Sequence, residues 1–97
     1  MKIKTSELTG AALNWAVNHA ERLTGILAPV NYCGKWEHGG PIIEREEIRL
    51  DPPRSIAFWS AEKNGYLLHG PTPLIAAMRC YVVSKLGDEV EVPDELH

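Results

Sequence analysis

The sequence predicts an α+β fold, with two packed helices against a small antiparallel sheet, and three observations carry that prediction. Residues 74–86 are apolar on nearly every side at about 100° per residue, the mark of a buried central helix. Asn64-Gly65 separates two short β-like runs, and this dipeptide favours a hairpin because both residues tolerate positive φ. The two ends alternate with opposite charge, Met1-Lys2-Ile3-Lys4 against Glu89-Val90-Glu91-Val92. Pairing the first strand with the last sets Lys2 and Lys4 near Glu89 and Glu91, a favourable cross-strand arrangement.

Taken in order, Thr5 or Ser6 caps a first helix that reaches Leu23 or Thr24, with Gly25 as its stop. Its polar residues Asn14, Asn18 and Glu21 share a narrow sector with Gly10, and the remaining surface, including Trp15 and His19, faces inward. Ala12, Ala16 and Ala20 recur every four residues, as do Ala76, Cys80 and Ser84, so the two helices are expected to pack along those small rows. Residues 25–40 read as a loop carrying Trp36, with a brief strand at 26–28, and Gly40-Pro41 opens a short helix to Glu46. Ile48-Arg49-Leu50 is extended and Asp51-Pro52-Pro53 turns the chain. Residues 56–61 and 66–68 flank the Asn-Gly turn; a helix over 56–64, capped by Ser55, is the alternative there. For the last helix Thr72 is the N-cap, Pro73 fits the first helical position, and Gly87 offers the stop. Inside it, Arg79 shares a sector with Ile75, Val83 and Leu86, where a cation needs a partner or an opening.

A hydrophobic share of 44% and a charged share of 24% suit one folded domain over residues 1–97. That size is marginal for a monomer, and the apolar surplus of the last helix predicts a homodimer. The net charge of −3 is uneven: residues 88–97 hold five of the thirteen acids and no Lys or Arg, ending in an acidic tail over 93–97. The body is therefore mildly basic, which does not favour nucleic acid as a partner but allows a local anion site. No apolar run reaches the roughly 18 residues of a membrane span, and the start lacks an export signal. Two cysteines, Cys33 and Cys80, make no disulfide framework and fit a reducing cytoplasm.

Two helix starts echo each other, His38-Gly39-Gly40-Pro41 and His69-Gly70-Pro71-Thr72-Pro73. A helix N-terminus offers free N–H groups and partial positive charge to an anion. With Arg79 two turns along, Arg45 and Arg49 near the first start, and Trp36, Tyr32 or Trp59 available to stack, a pocket for a phosphate-bearing ligand is coherent. Its candidate residues are Trp36, His38, Arg45, Arg49, Trp59, His69, Gly70, Thr72 and Arg79. The competing reading makes the Gly-Pro pairs capping chemistry and pairs Arg79 with Glu7, Glu44 or a tail carboxylate. No metal and no cofactor is expected, since Cys33 and His38 lack a second ligand pair. Catalysis is not expected either: no Gly-x-Ser-x-Gly elbow or phosphate-binding loop occurs, and Glu44, Glu46 and Glu47 read as a solvated face.

Lys4-Thr5-Ser6-Glu7-Leu8-Thr9-Gly10-Ala11-Ala12-Leu13, then Gly39-Gly40-Pro41-Ile42-Ile43-Glu44-Arg45-Glu46, then residues 69–96 together resemble the NinX-type family of small phage and prophage proteins. The resemblance implies a phage accessory protein in the cytoplasm of a bacterial host, shortened relative to many relatives at 23–39 and 61–69. It brings no catalytic or binding residues with it. Two functional expectations follow. One is a non-catalytic binding module for a small anionic, nucleotide-like host molecule such as a defence signal. The alternative is an adaptor that docks a host or phage enzyme through Trp36 and the acidic tail.

Overall fold

The computed structural model describes residues 1–21, 30–54 and 58–96. Along the chain these form β1 (Lys2–Lys4), a 3₁₀ turn (Thr5–Glu7), α1 (Gly10–Ala20), α2 (Trp36–Glu46), β2 (Arg49–Asp51), β3 (Trp59–Lys63), β4 (Tyr66–Gly70), α3 (Pro73–Leu86), β5 (Glu89–Glu91) and a closing 3₁₀ turn (Asp94–Leu96). The terminal strands pair antiparallel in the register that their charges favour, Lys2 opposite Glu91 and Lys4 opposite Glu89. β2, β3 and β4 form a second antiparallel sheet in that order. Its hairpin turns on Asn64 and Gly65, at φ 52° and 86°. Strand rather than helix therefore occupies 59–63, while the predicted strand at 26–28 and residues 56–57 lie outside the described residues.

α3 is the core of the molecule. Thr72 caps it as expected, its hydroxyl accepting the Ile75 N–H at 3.1 Å, and Gly87 ends it at φ 92°. Leu74, Ala76, Ala77, Met78, Cys80, Tyr81, Val82 and Val83 are all buried within the one chain. The apolar surplus that argued for a second copy is thus already covered. Ala76 and Cys80 of the small row of α3 lie against β4. A Cβ on Gly70 would stand 2.7 Å from the Ala76 nitrogen, and the Cys80 thiol reaches the Tyr66 carbonyl at 3.5 Å. Burial among these groups pushes that thiol up to about 11.

The first helix starts later than its sequence suggests. Thr5 is buried, donates its hydroxyl to the Gly87 carbonyl at 2.6 Å and its N–H to the Asp88 carbonyl at 2.7 Å, so it fastens β1 to the end of α3 instead of capping α1. Gly10, at φ 57°, then turns the chain into α1. The polar row of α1 is a docking row: Asn14 Oδ1 accepts the Cys33 N–H at 3.0 Å and Asn18 Oδ1 accepts the Tyr32 hydroxyl at 3.3 Å. His19, expected inside, is exposed and stacks on Trp15 at 5.1 Å. α2 in turn begins before its glycine pair, because the Lys35 carbonyl already accepts the His38 and Gly39 N–H groups. Trp36 consequently stands on the first helical turn rather than in a loop. Gly39 is where α2 meets the rest: a Cβ there would fall 2.4 Å from the Tyr32 carbonyl oxygen and 2.5 Å from a Leu74 methyl.

An ionic network closes the side of α3 that carries Tyr81. Arg45 grips Glu21 with two nitrogens at 3.0 and 2.6 Å and Glu46 with a third at 2.9 Å. Glu46 also draws Lys63 to 3.3 Å and Lys85 to 3.6 Å, and the Tyr81 hydroxyl donates to Glu21. The network joins α1, α2, β3 and α3. Arg45, as first cause, holds both carboxyl groups below their ordinary value, and burial beside Glu21 raises the Tyr81 hydroxyl well above the tyrosine range.

Two stability outcomes follow. Gly39→Ala should cost roughly 1–3 kcal/mol by overpacking. Gly40→Ala, whose Cβ would meet only the Trp36 ring at 3.7 Å, should add about 0.5–1 kcal/mol, both read by urea denaturation. Because the folded values of Glu21 and Glu46 lie below 4.5, their contribution is complete above pH 4.5 and is lost as pH falls through those lowered values. The urea midpoint should drop on that acid limb, and Glu21→Gln should flatten the drop; an unchanged limb in the variant would contradict the assignment.

Candidate functional site

The sheet has two faces with different fates. Side chains alternate along each strand, so Leu50, Ala61, Leu68 and Gly70 turn toward α3. Arg49, Asp51, Ser60, Glu62, Leu67 and His69 turn the other way, in register across β2, β3 and β4. This outer face is open: Leu67 is 58% exposed and Phe58, just before β3, is 49% exposed. Across the strands Ser60 Oγ and His69 Nδ1 lie 3.0 Å apart.

Arg79 closes the β4 end of this face. Its Nε donates to the Leu8 carbonyl at 2.7 Å and its Nη1 to the His69 carbonyl at 2.9 Å. Neither Glu7 nor Glu44 nor a tail carboxylate pairs with it, and among the described residues no carboxylate forms a salt bridge with Arg79. Backbone carbonyls satisfy its N–H groups without cancelling its charge. Burial lowers its pKa from 12.5, though a guanidinium in that range remains a cation at neutral pH. The side chain lines a hollow of about 420 Å³ with Ser6, Phe58, Leu67, His69 and Gly70. A second hollow of about 410 Å³ adjoins it, sharing Phe58 and Leu67 and lined further by Arg49, Asp51, Pro52 and Arg54.

The nine residues singled out from the sequence therefore separate. Arg49 and His69 stand on the open face, and Gly70 and Arg79 border it at the β4 end. Arg45 does not: its guanidinium is committed to Glu21 and Glu46, leaving nothing for an anion. Trp36, 54% exposed, and half-buried His38 stand on the first turn of α2. Thr72 uses its hydroxyl as a helix cap and its carbonyl for the Ala76 N–H. Trp59 packs on the core side of β3 opposite Gly70, so Phe58 takes the exposed place that the stacking ring was expected to fill. Phe58, Leu67 and Arg54 went unselected. The signal for Leu67 was present, since counting outward from the Asn64-Gly65 turn puts it opposite Glu62 on the polar face.

Among the described residues, no group of three or more His, Cys, Asp or Glu side chains is placed to hold a metal ion. No described helix is long and apolar enough to cross a membrane. No curated protein matches the chain. The family model described as Bacteriophage P22, NinX matches residues 27–85, which include α2, all three strands of the β2–β3–β4 sheet and nearly all of α3. With that match extending over more than half of its length, the chain belongs to the phage P22 NinX family.

Proposed function

We propose that this phage protein is a non-catalytic binding module for a small anionic molecule with a flat apolar part, of the nucleotide type, seated on the open face of the sheet. One observation carries the reading: Arg79 is a partly buried cation whose partners among the described residues are two backbone carbonyls, beside an exposed ring and an exposed leucine. A buried charge without a counter-charge is costly, and an incoming anion relieves that cost. Phe58 supplies a stacking surface, and the hollow lies within the size range of small-molecule sites. Sequestration of a host signal nucleotide suits such a module, which offers an anion contact and a stacking face.

The test is calorimetric titration with adenosine and guanosine monophosphates. Phe58→Ala and Leu67→Ser, both at exposed positions, are expected to weaken binding about tenfold while leaving the fold intact. Arg79→Lys retains the charge and should bind more weakly than the parent; Arg79→Gln should not bind. If no mononucleotide binds, or if Phe58→Ala binds as the parent does, the reading is wrong.

A second reading rests on Trp36, an exposed tryptophan of the kind that anchors protein interfaces. The tail is less suited to docking than its sequence suggests, because Asp94 pairs with the Met1 amino group at 3.2 Å and Leu96 packs on the core. An adaptor acting through Trp36 should lose co-purification of one defined phage or host enzyme on Trp36→Ala while keeping its nucleotide affinity. Retention of that enzyme by the variant would remove this reading.

A further inference from the structure

We infer that the open face is a two-part site whose ligand is a dinucleotide carrying two phosphates, an inference that rests on the nucleotide reading above. The two hollows meet at Phe58 and Leu67, so they form one continuous surface with a shared apolar strip at its centre. Each end holds one cation that forms no salt bridge among the described residues. At the β4 end that cation is Arg79. At the β2 end Arg49 is drawn to Asp51 at 3.4 Å and Glu62 at 3.5 Å, while Arg54 has no ion-pair partner among the described residues.

Charge complementarity then sets the number of anions. Two cations without an ion-pair partner among the described residues flank the strip, one phosphate can meet each, and a flat base lies over Phe58 between them. Asp51 and Glu62 sit on the same face and repel any further phosphate placed across the strands. The surface suits a short, doubly anionic molecule and works against an extended polyanion.

The experiment compares three probes on the intact chain: a mononucleotide, a linear dinucleotide with a 5′ phosphate, and a longer single strand of the same base. The dinucleotide is expected to bind about tenfold tighter than the mononucleotide. Arg54→Gln, a change at an exposed residue, should erase that advantage and leave mononucleotide affinity as it was; circular dichroism verifies that the variant is folded. Equal affinity for the two small probes, or an advantage that survives Arg54→Gln, overturns the two-part site while the single-anion reading stands. A longer strand that gains affinity with length overturns the limit of two phosphates. Failure of both small probes to bind overturns the nucleotide reading and this inference together.

Discussion

A helix that is apolar on nearly every side must be covered on nearly every side, and this requirement on α3 organises the molecule. The sheet covers one side, where Gly70 and Cys80 permit close approach. α2 reaches Leu74 at Gly39, where no side chain intervenes. The terminal strands are fastened to its end through Thr5 and Gly87, and α1 meets it beside Tyr81 through Glu21. Burying those apolar side chains contributes about 1.5–3 kcal/mol for each large one, far more than any exposed ion pair. A chain of 97 residues has few elements, and most of the described ones are used on α3. Among the described residues no element covers the outer face of the sheet, which leaves that face open and able to receive something else.

Arg79 is the exception on this helix, and its position explains its partners. In an antiparallel hairpin with a two-residue turn, the pair that flanks the turn exchanges hydrogen bonds and the bonding alternates from there. Starting at Lys63 and Tyr66, the backbone groups of Leu67 and His69 turn away from β3, toward the free edge of β4. Free edges invite pairing with other chains. The Arg79 guanidinium occupies this one by taking the His69 carbonyl and holding it to Leu8. The same side chain thus protects the edge, joins the N-terminal segment to the sheet and leaves a positive charge at the rim of the open face.

What the sequence disclosed follows from how local each signal is. The cap at Thr72, the Asn64-Gly65 turn and the charge-matched terminal strands depend on neighbours or on complementary patterns, and each stands where the residues put it. Thr5 misleads because a buried threonine with a remote carbonyl partner looks, in sequence, like a helix cap. Gly39-Gly40 looks like a loop because the sequence cannot reveal that Tyr32 and Leu74 press against that spot and require glycine inside a helix. The candidate site was legible in part. His69 and Arg79 were visible as polar groups at a helix start, but Phe58 and Trp59 are adjacent aromatics, and only strand register decides which one faces outward.

Arg45 and Arg79 looked alike in sequence, and the difference between them bears on the family as a whole. Both are long cations near a glycine-rich helix start, both lie inside residues 27–85, and each depends on a partner outside that span. Arg45 depends on the carboxylate of Glu21, a side chain that a single substitution removes. Arg79 depends on the backbone carbonyl of Leu8, which any amino acid at that position would supply. Its second partner, the His69 carbonyl, is likewise backbone and belongs to a strand edge fixed by the hairpin turn. The brace that leaves Arg79 positively charged is therefore set by chain path rather than by side-chain identity. A NinX-family chain with this hairpin and an arginine two turns into the following helix would keep the same charged rim, whatever its N-terminal side chains, whereas its counterpart of Arg45 would lose the two-nitrogen grip on an acid at the end of α1 wherever that acid is missing and keep only the neighbouring Glu46.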